Sequence, residues 1–155
     1  MNSISLDLSW FQFAELVIAL LLGGLIGLER SLVGKTAGMR TFALVSMGSC
    51  LFVLIARFVI PTVGAFNFDP MRVAAGVIMG VGFLCGGVII FKESHLSGLT
   101  TAAGLWVSAG IGMAVGYGLI SLAIFATIAT LLVFTFFYFV EFRIFGVRNG
   151  EEQEQ

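Results

Sequence analysis

The stretch from Leu99 to Val140 reads LTTAAGLWVSAGIGMAVGYGLISLAIFATIATLLVFTFFYFV and contains no charged residue. A membrane-spanning helix needs roughly 20 mainly apolar residues, so a run of about 40 is too long for one crossing. Gly116-Tyr117-Gly118 interrupts the run and is short enough only for a tight hairpin. The stretch therefore predicts two spans, at 99–116 and 119–140, although one long fourth span is the alternative.

The composition of the whole chain supports a lipid environment. Of its 155 residues, 59% are hydrophobic and only 11% are charged, and the mean hydropathy is +1.07. A soluble domain of this size would expose much of that apolar surface, whereas lipid accepts it. The net charge of −1 gives no basic excess of the kind that nucleic-acid binding requires, so no nucleic-acid partner is expected.

Three further apolar stretches precede this one. Asp69 and Pro70 begin the third of them, because Asp caps a helix and Pro suits its first turn. The predicted fold class is all-α, a polytopic bundle of about five transmembrane helices. The predicted spans are 12–28, 41–60, 71–91, 99–116 and 119–140. They form one transmembrane domain, 1–140, followed by a short cytoplasmic tail, 141–155.

The basic residues predict the orientation of the bundle. With five spans, six of the eight fall on one side, and these are Arg30, Lys35, Arg40, Lys92, Arg143 and Arg148. The positive-inside rule then places the N-terminus outside and the C-terminus in the cytoplasm. The span count and the charge asymmetry agree, and neither was assumed in deriving the other.

Small residues at four-residue spacing predict where helices approach closely, because apolar contacts between helices gain little in lipid. Such stripes occur in the first, third and fourth spans, at Gly23/Gly27, Gly76/Gly80, Gly82/Gly86 and Gly104/Ser108/Gly112/Gly116. The fifth span has no glycine and is rich in Leu and Phe. We therefore expect spans one, three and four to form the tight centre, with span five facing lipid.

Ionisable residues at membrane depth are functional candidates because they are costly there. Four of them lie toward the predicted outer side, and we call them the outer cluster: Glu15, Arg57, Asp69 and Arg72. One interpretation is that the cluster gates or lines a polar site. The other is that the two arginines extend to the interface or pair locally with Asp69.

Toward the predicted cytoplasmic side, polar residues concentrate in the first loop, at Glu29, Arg30, Lys35, Arg40 and Thr41. They serve either as ordinary positive-inside anchors or as a contact surface. Thr100 and Thr101 open the fourth span, where they could cap it. No spacing matches a nucleotide-binding loop, a catalytic arrangement or a metal-ligand motif, so we expect no enzyme, no cofactor and no metal site.

Three segments resemble the MgtC/SapB family. They are GGLIGLERSLVGKTAGMRTFALVSMGSCLF at 23–52, DPMRVAAGVIMGVGFLCGGVI at 69–89 and SGLTTAAGLWVSAGIGMAVGYG at 97–118. The resemblance covers about residues 11–140, the transmembrane part of the family, without its C-terminal cytoplasmic domain. The matching polar positions are Glu29, Arg30, Lys35, Arg40, Thr41, Asp69, Arg72, Thr100 and Thr101.

The resemblance implies a multi-pass protein of the bacterial inner membrane. It implies a role in adaptation to low magnesium and in virulence, exerted by regulating other membrane proteins, including the proton-driven ATP synthase. The alternative function is a small ion transporter or channel, for example for magnesium, lined by the outer cluster. A homo-oligomer is compatible with either function.

Overall fold

The computed structural model describes residues 10–63, 69–92 and 95–145. The elements in chain order are α1 (Trp10–Leu32), α2 (Met39–Val63), α3 (Pro70–Val88), β1 (Ile90–Lys92), β2 (His95–Ser97), α4 (Leu99–Gly116), α5 (Ile120–Leu132), a π-helical segment (Val133–Phe137) and α6 (Tyr138–Phe145). The two strands form one short antiparallel hairpin. The predicted tail lies mostly outside the described residues.

The all-α class and the five spans are confirmed, because five helices among the described residues are long and apolar enough to cross a membrane. The fourth helix has the predicted bounds. The hairpin after it is also confirmed, because Gly118 has a φ of +79°, and the amide N–H of Leu119 donates to the carbonyl of Ala114 at 2.8 Å.

The third helix is shorter than predicted. It ends at Val88, and Ile89 is already extended, with φ −80° and ψ 115°. Strand β1 follows where the prediction continued the helix to Phe91. Hydropathy reports how apolar a segment is and not its backbone conformation, so it could not separate the strand from the helix. The predicted N-cap of α3 is confirmed, because the Asp69 carboxylate accepts a 2.9 Å hydrogen bond from the backbone N–H of Met71.

The tight centre consists of α1, α2 and α4. A Cβ atom built on Gly27 would lie 2.7 Å from the Cα of Met39, and one on Gly23 would lie 2.6 Å from the carbonyl oxygen of Phe42. A Cβ on Gly112 would overlap the backbone of Ser46. The backbones of the three helices therefore touch, as expected of small-residue stripes in lipid.

The prediction that span three belongs to this centre is wrong. Among the described residues, no atom outside α3 lies within 4 Å of a Cβ built on Gly76, Gly80, Gly82 or Gly86. Helix α2 takes its place, with Ser46 and Cys50 fully buried. Small-residue spacing allows a helix to approach a neighbour closely, but it does not choose the neighbour.

Helix α3 packs mainly on α4. The Sγ of Cys85 donates to the carbonyl of Ala102 at 3.2 Å, and Val81 is buried. At the end of the hairpin Gly98 has a φ of +88°, and a Cβ there would overlap the carbonyl oxygen of Val88. Between α2 and α3 an apolar groove of about 840 Å³ remains open.

The expectation that span five faces lipid agrees with most of its surface. Phe125 and Leu132 are exposed, as are Phe136 and Phe139. One face packs inward, because Ala123 and Thr127 are buried and Phe134 is only 7% exposed.

Candidate functional site: charged pairs at the two ends of the helix core

Arg57 joins three helices at the predicted outer end of the core. One of its terminal nitrogens, Nη1, lies 3.2 Å from Glu15 Oε1 on α1 and donates to the carbonyl of Gly116, the last residue of α4, at 2.7 Å. The Glu15 side chain is 15% exposed and that of Arg57 is 47% exposed. A cation at a helix C-terminus is stabilised by the carbonyls there, so Arg57 compensates both the carboxylate and the end of α4.

The outer cluster forms only in part. Asp69 is occupied in capping α3, and the Arg72 side chain is exposed. The ion pairs found in the described ranges do not include either residue. Burial raises the pKa of Tyr117 above its ordinary value, and the negative charge of Asp69 raises it further. Asp69 therefore lies near the end of α4, beside the Arg57–Glu15 pair and not within it.

At the predicted inner end, Arg30 is almost fully enclosed. Its side chain is 4% exposed, and it pairs with the neighbouring carboxylate of Glu29, which is 18% exposed. The Nη2 of Arg30 donates to Glu29 Oε1 at 2.6 Å. The guanidinium also lies over the ring of Phe134, with Cζ 3.8 Å from the ring centroid. This is a cation–π contact in a dry setting, where such contacts are strongest.

The contact between Phe134 and Arg30 could not be predicted from the sequence. The ring belongs to the π-helical segment, a form of helix that is frequent at functional sites. Gly104 of α4 leaves room for it, because a Cβ there would lie 2.6 Å from the Cζ of Phe134. Gly104 was visible as part of a stripe, but no local pattern connects Arg30 with a phenylalanine four spans later.

The first loop separates its polar residues into two groups. Ser31 closes the loop by accepting a 2.9 Å hydrogen bond from the backbone N–H of Met39. Glu29 and Arg30 then lie against the bundle, whereas Arg40 and Thr41 are exposed. The candidate residues of the loop are therefore divided between an inner pair and an exposed pair at the start of α2.

The two threonines at the start of α4 do not cap it. The N-cap residue is Gly98, which has a left-handed conformation and makes no side-chain cap hydrogen bond. Thr101 is 3% exposed, whereas Thr100 is exposed. The capping prediction is therefore wrong, because the positive φ that the hairpin needs at its end favours glycine over a residue with a side chain.

Two buried serines lie between the charged ends. The Oγ of Ser108 donates to the carbonyl of Phe42 at 3.0 Å. Phe42 lies one helical turn before Ser46, so Ser108 already uses the carbonyl to which the Ser46 hydroxyl could donate within its own helix. The Oγ of Ser46 is buried and has no hydrogen-bond partner among the described residues. Buried hydroxyls nearly always form a hydrogen bond, so Ser46 is an unusual residue in the middle of the core.

The arrangement places two neutralised charge pairs at opposite ends of one closely packed core. Within the described ranges, no group of three or more His, Cys, Asp or Glu residues comes together to hold a metal ion. Whether any of the candidate residues acts in function stays a prediction.

Comparison with known proteins gives a consistent result. The sequence pattern of the MgtC family matches residues 16–143. The YhiD protein of Escherichia coli strain K12, whose name assigns it provisionally to magnesium transport, is 42% identical over 138 residues. The SrpB protein of Synechococcus elongatus is 41% identical over 151 residues, which is 90% of this chain and 81% of that protein. The MgtC protein of Brucella abortus is 44% identical over 115 residues.

The overlap with these relatives is incomplete on their side. The matched region covers 84% of this chain and 64% of the Escherichia coli protein. For the Brucella abortus protein the corresponding shares are 74% and 46%. No solved structure matches the chain.

Proposed function

The chain belongs to the MgtC family, and we propose that it is a bacterial inner-membrane protein that supports adaptation to low magnesium by contacting other membrane proteins. The proposal includes no enzymatic activity. By family resemblance, the proposal extends to the proton-driven ATP synthase as a partner and to a role in virulence.

The observation that carries this proposal is the closed centre of the three-helix core. Gly112 of α4 lies so close to Ser46 of α2 that a Cβ would overlap its carbonyl group, and a Cβ on Gly23 of α1 would lie 3.1 Å from Ser108 Oγ. At the level of these serines, backbone and side-chain atoms therefore fill the core between the two charged pairs. A regulator needs surfaces and not a passage, so a filled centre favours contact with partners over conduction.

The exposed part of the first loop supplies a surface on the predicted cytoplasmic side. Arg40 and Thr41 are exposed at the start of α2, and Glu29 already neutralises Arg30. Within the described ranges, Arg40 takes part in no ion pair. Acidic groups on a partner at the membrane surface would complement it, because electrostatic complementarity sets specificity.

The test is growth and magnesium uptake in magnesium-starved cells that lack the gene and other magnesium uptake systems. We expect deletion to slow growth while the initial rate of uptake stays unchanged. Arg40→Ala should fail to restore growth, whereas the matched change Arg143→Ala, at another exposed arginine of the same predicted side, should restore it. A loss of uptake on deletion, restored by the intact protein, would overturn the proposal.

Transport is the second candidate, and two observations favour it. The Escherichia coli relative carries a transport name, and the Ser46 hydroxyl, which has no hydrogen-bond partner in the described part of the chain, lies between the charged pairs. In that case Glu15→Gln and Asp69→Asn, which remove charge but keep shape and capping, should reduce the rate of magnesium uptake. Unchanged uptake in both variants would exclude a path through the outer cluster.

A further inference from the structure

The first turn of α4 carries backbone donors that nothing in the described part of the chain uses. The N–H groups of the first turn of an α-helix have no acceptor within the helix. In α4 these groups belong to Leu99, Thr100 and Thr101, and the first N–H to find a carbonyl is that of Ala102, which donates to Gly98 at 2.8 Å. The N-cap glycine has no side chain to accept from the others. The inner end of α4 therefore combines unused N–H groups with the positive end of the helix dipole.

The hydroxyl of Thr101 is a further unused donor at the same place. Thr101 is the third residue of α4 and is 3% exposed, and its hydroxyl forms no hydrogen bond with a described residue. The threonines of α5 differ, because Thr127 and Thr130 each donate to the carbonyl four residues earlier. A helical side chain leans toward the helix N-terminus, so the Thr101 hydroxyl lies over the free N–H groups. Buried donors without an acceptor are rare, which indicates that this turn receives its acceptor from outside the bundle.

Arg30 of α1 faces this turn of α4. A Cβ on Gly23 of α1 would lie 3.1 Å from Ser108 Oγ of α4, so the two helices touch there. They run antiparallel, since Arg57 joins the start of α1 to the end of α4. Arg30 follows Gly23 by seven residues, and Thr101 precedes Ser108 by seven. Seven residues are two helical turns, so both side chains lie about 10 Å from the contact, at the same depth and on facing sides.

One edge of the Arg30 guanidinium is free. Its Nε and Nη2 donate to the Glu29 carboxylate, and its face lies over the Phe134 ring, whereas Nη1 forms no hydrogen bond within the described ranges. Among the described side chains, the polar atoms that are both sealed from the surface and without a partner consist of Ser46 Oγ alone. Arg30 Nη1 and the Thr101 hydroxyl therefore keep contact with the surface, although both residues are buried.

We propose that a phosphate group binds between the first turn of α4 and the free edge of Arg30, at the predicted inner surface of the membrane. A phosphate presents more acceptor oxygens than a carboxylate does, so it can accept from the backbone N–H groups, the Thr101 hydroxyl and Arg30 Nη1 at once. Glu29 already neutralises Arg30, which leaves the positive end of the α4 dipole to be compensated. The phosphate belongs to a phospholipid of the inner leaflet or to a soluble phosphate compound, because the same donors bind either one.

The proposal does not depend on the regulatory function, because a transporter could carry the same site. It accounts for two features that the packing of the core does not explain. One is a helix N-terminus that has no side-chain cap at Gly98. The other is a buried threonine whose hydroxyl has no acceptor among the described residues.

Thermal unfolding of the purified full chain in detergent tests the site, because a ligand that binds only the folded state raises the unfolding temperature as its concentration rises. Sodium phosphate is compared with sodium chloride at constant pH and ionic strength. Phosphatidylglycerol is compared with diacylglycerol, which has the same chains and no phosphate. We expect a saturable rise with at least one of the two phosphate compounds and none with diacylglycerol. A rise with phosphatidylglycerol alone assigns the site to a lipid headgroup, whereas a rise with sodium phosphate assigns it to a soluble phosphate.

Four variants connect the response to the proposed donors. Thr101→Val removes the hydroxyl but keeps the shape, and should weaken the apparent affinity about tenfold or more, as expected for a hydrogen bond to a charged group. Thr101→Ser keeps the hydroxyl and should bind nearly as tightly as the unaltered chain. Arg30→Lys keeps the charge but not the planar group, and should weaken binding to a similar degree. Thr127→Val is the matched control, because this buried hydroxyl is satisfied within α5, and should leave the affinity unchanged.

Three results would overturn the proposal. With no response to either phosphate compound, the acidic side chain of a protein partner would be the remaining acceptor for these donors. An equal response to diacylglycerol would show that the lipid chains bind and the phosphate does not. An unchanged affinity in Thr101→Val would place the phosphate elsewhere. The unfolding temperature of each variant without ligand checks its folding, and Thr101→Val should match the unaltered chain because it removes no hydrogen bond to a described residue.

Discussion

Helices α4 and α3 carry glycines at the same four-residue spacing, yet the two helices use them differently. In α4 the glycines at 104, 112 and 116 each face an atom of a neighbouring helix, whereas those of α3 at 76, 80, 82 and 86 face none in the described part of the chain. Helix α4 lies at the centre of the bundle, and α3 lies at its margin. The difference shows that a small-residue stripe reports the ability to pack closely, and that the contact itself depends on the helices placed beside it.

The largest difference between the two helices is expected when valine replaces a glycine in each of them. Gly112→Val should destabilise the protein by more than about 3 kcal/mol or prevent folding, because the side chain has no space beside the Ser46 backbone. Gly80→Val should leave the unfolding temperature nearly unchanged, because a Cβ there meets open space. Thermal unfolding in detergent measures both. Similar losses in the two variants would contradict the division between centre and margin.

The second prediction concerns the inner end of the core. Phe134→Ala should cost about 2–4 kcal/mol, since it leaves a cavity and removes the ring beneath the Arg30 guanidinium. Phe136→Ala, at an exposed ring of the same π-helical segment, is the matched control and should cost far less. The measurement is again the unfolding temperature in detergent. An equal effect at both rings would mean that Arg30 does not depend on Phe134.

The third prediction tests the outer end. Arg57→Met should cost about 1–3 kcal/mol, because it leaves the enclosed Glu15 carboxylate and the Gly116 carbonyl without their donor. Adding Glu15→Gln to this variant should recover part of the loss. A double-mutant cycle of unfolding free energies measures the coupling, and strictly additive effects would show that the pair contributes nothing.

The smallest expected effects distinguish the two central serines. Ser108→Ala should cost about 0.5–1.5 kcal/mol, the usual value of a hydrogen bond such as the one to Phe42. Ser46→Ala should change the unfolding free energy by close to zero, because no described residue forms a hydrogen bond with its hydroxyl. A clear loss at Ser46 would reveal a bond or a bound water that makes this hydroxyl important.

Much of the architecture could be predicted from the sequence because it depends on local properties. Hydropathy gave the five spans, Asp69-Pro70 gave the start of α3, and the two glycines around Tyr117 gave the hairpin. The arrangement of the helices could not be predicted in this way. The Arg30–Phe134 contact and the Arg57–Glu15 pair both join residues that are far apart along the chain, and nothing near either residue indicates its partner.

The candidate site could likewise be predicted from the sequence only in part. Glu15 and Arg57 were identified as outer-side candidates, and the structure brings them together. Asp69 and Arg72 were grouped with them, although hydropathy alone could not show that α3 lies at the margin. Thr100 and Thr101 match the usual capping residues, but the hairpin requires a positive φ one residue before α4. That requirement depends on the contact between Gly98 and Val88, which only the folded chain reveals.

The Gly98–Val88 contact has a mechanical consequence for α3. Because the β-hairpin and the Cys85–Ala102 hydrogen bond hold the inner end of α3 against α4, any displacement of α3 is a rotation about that end. The helix has 19 residues and is thus a lever of about 28 Å. A tilt of about 5° would move its outer end by about 2.5 Å, as follows from that length. The width of the α2–α3 groove is therefore set mainly at the outer end, where Asp69 and Arg72 lie.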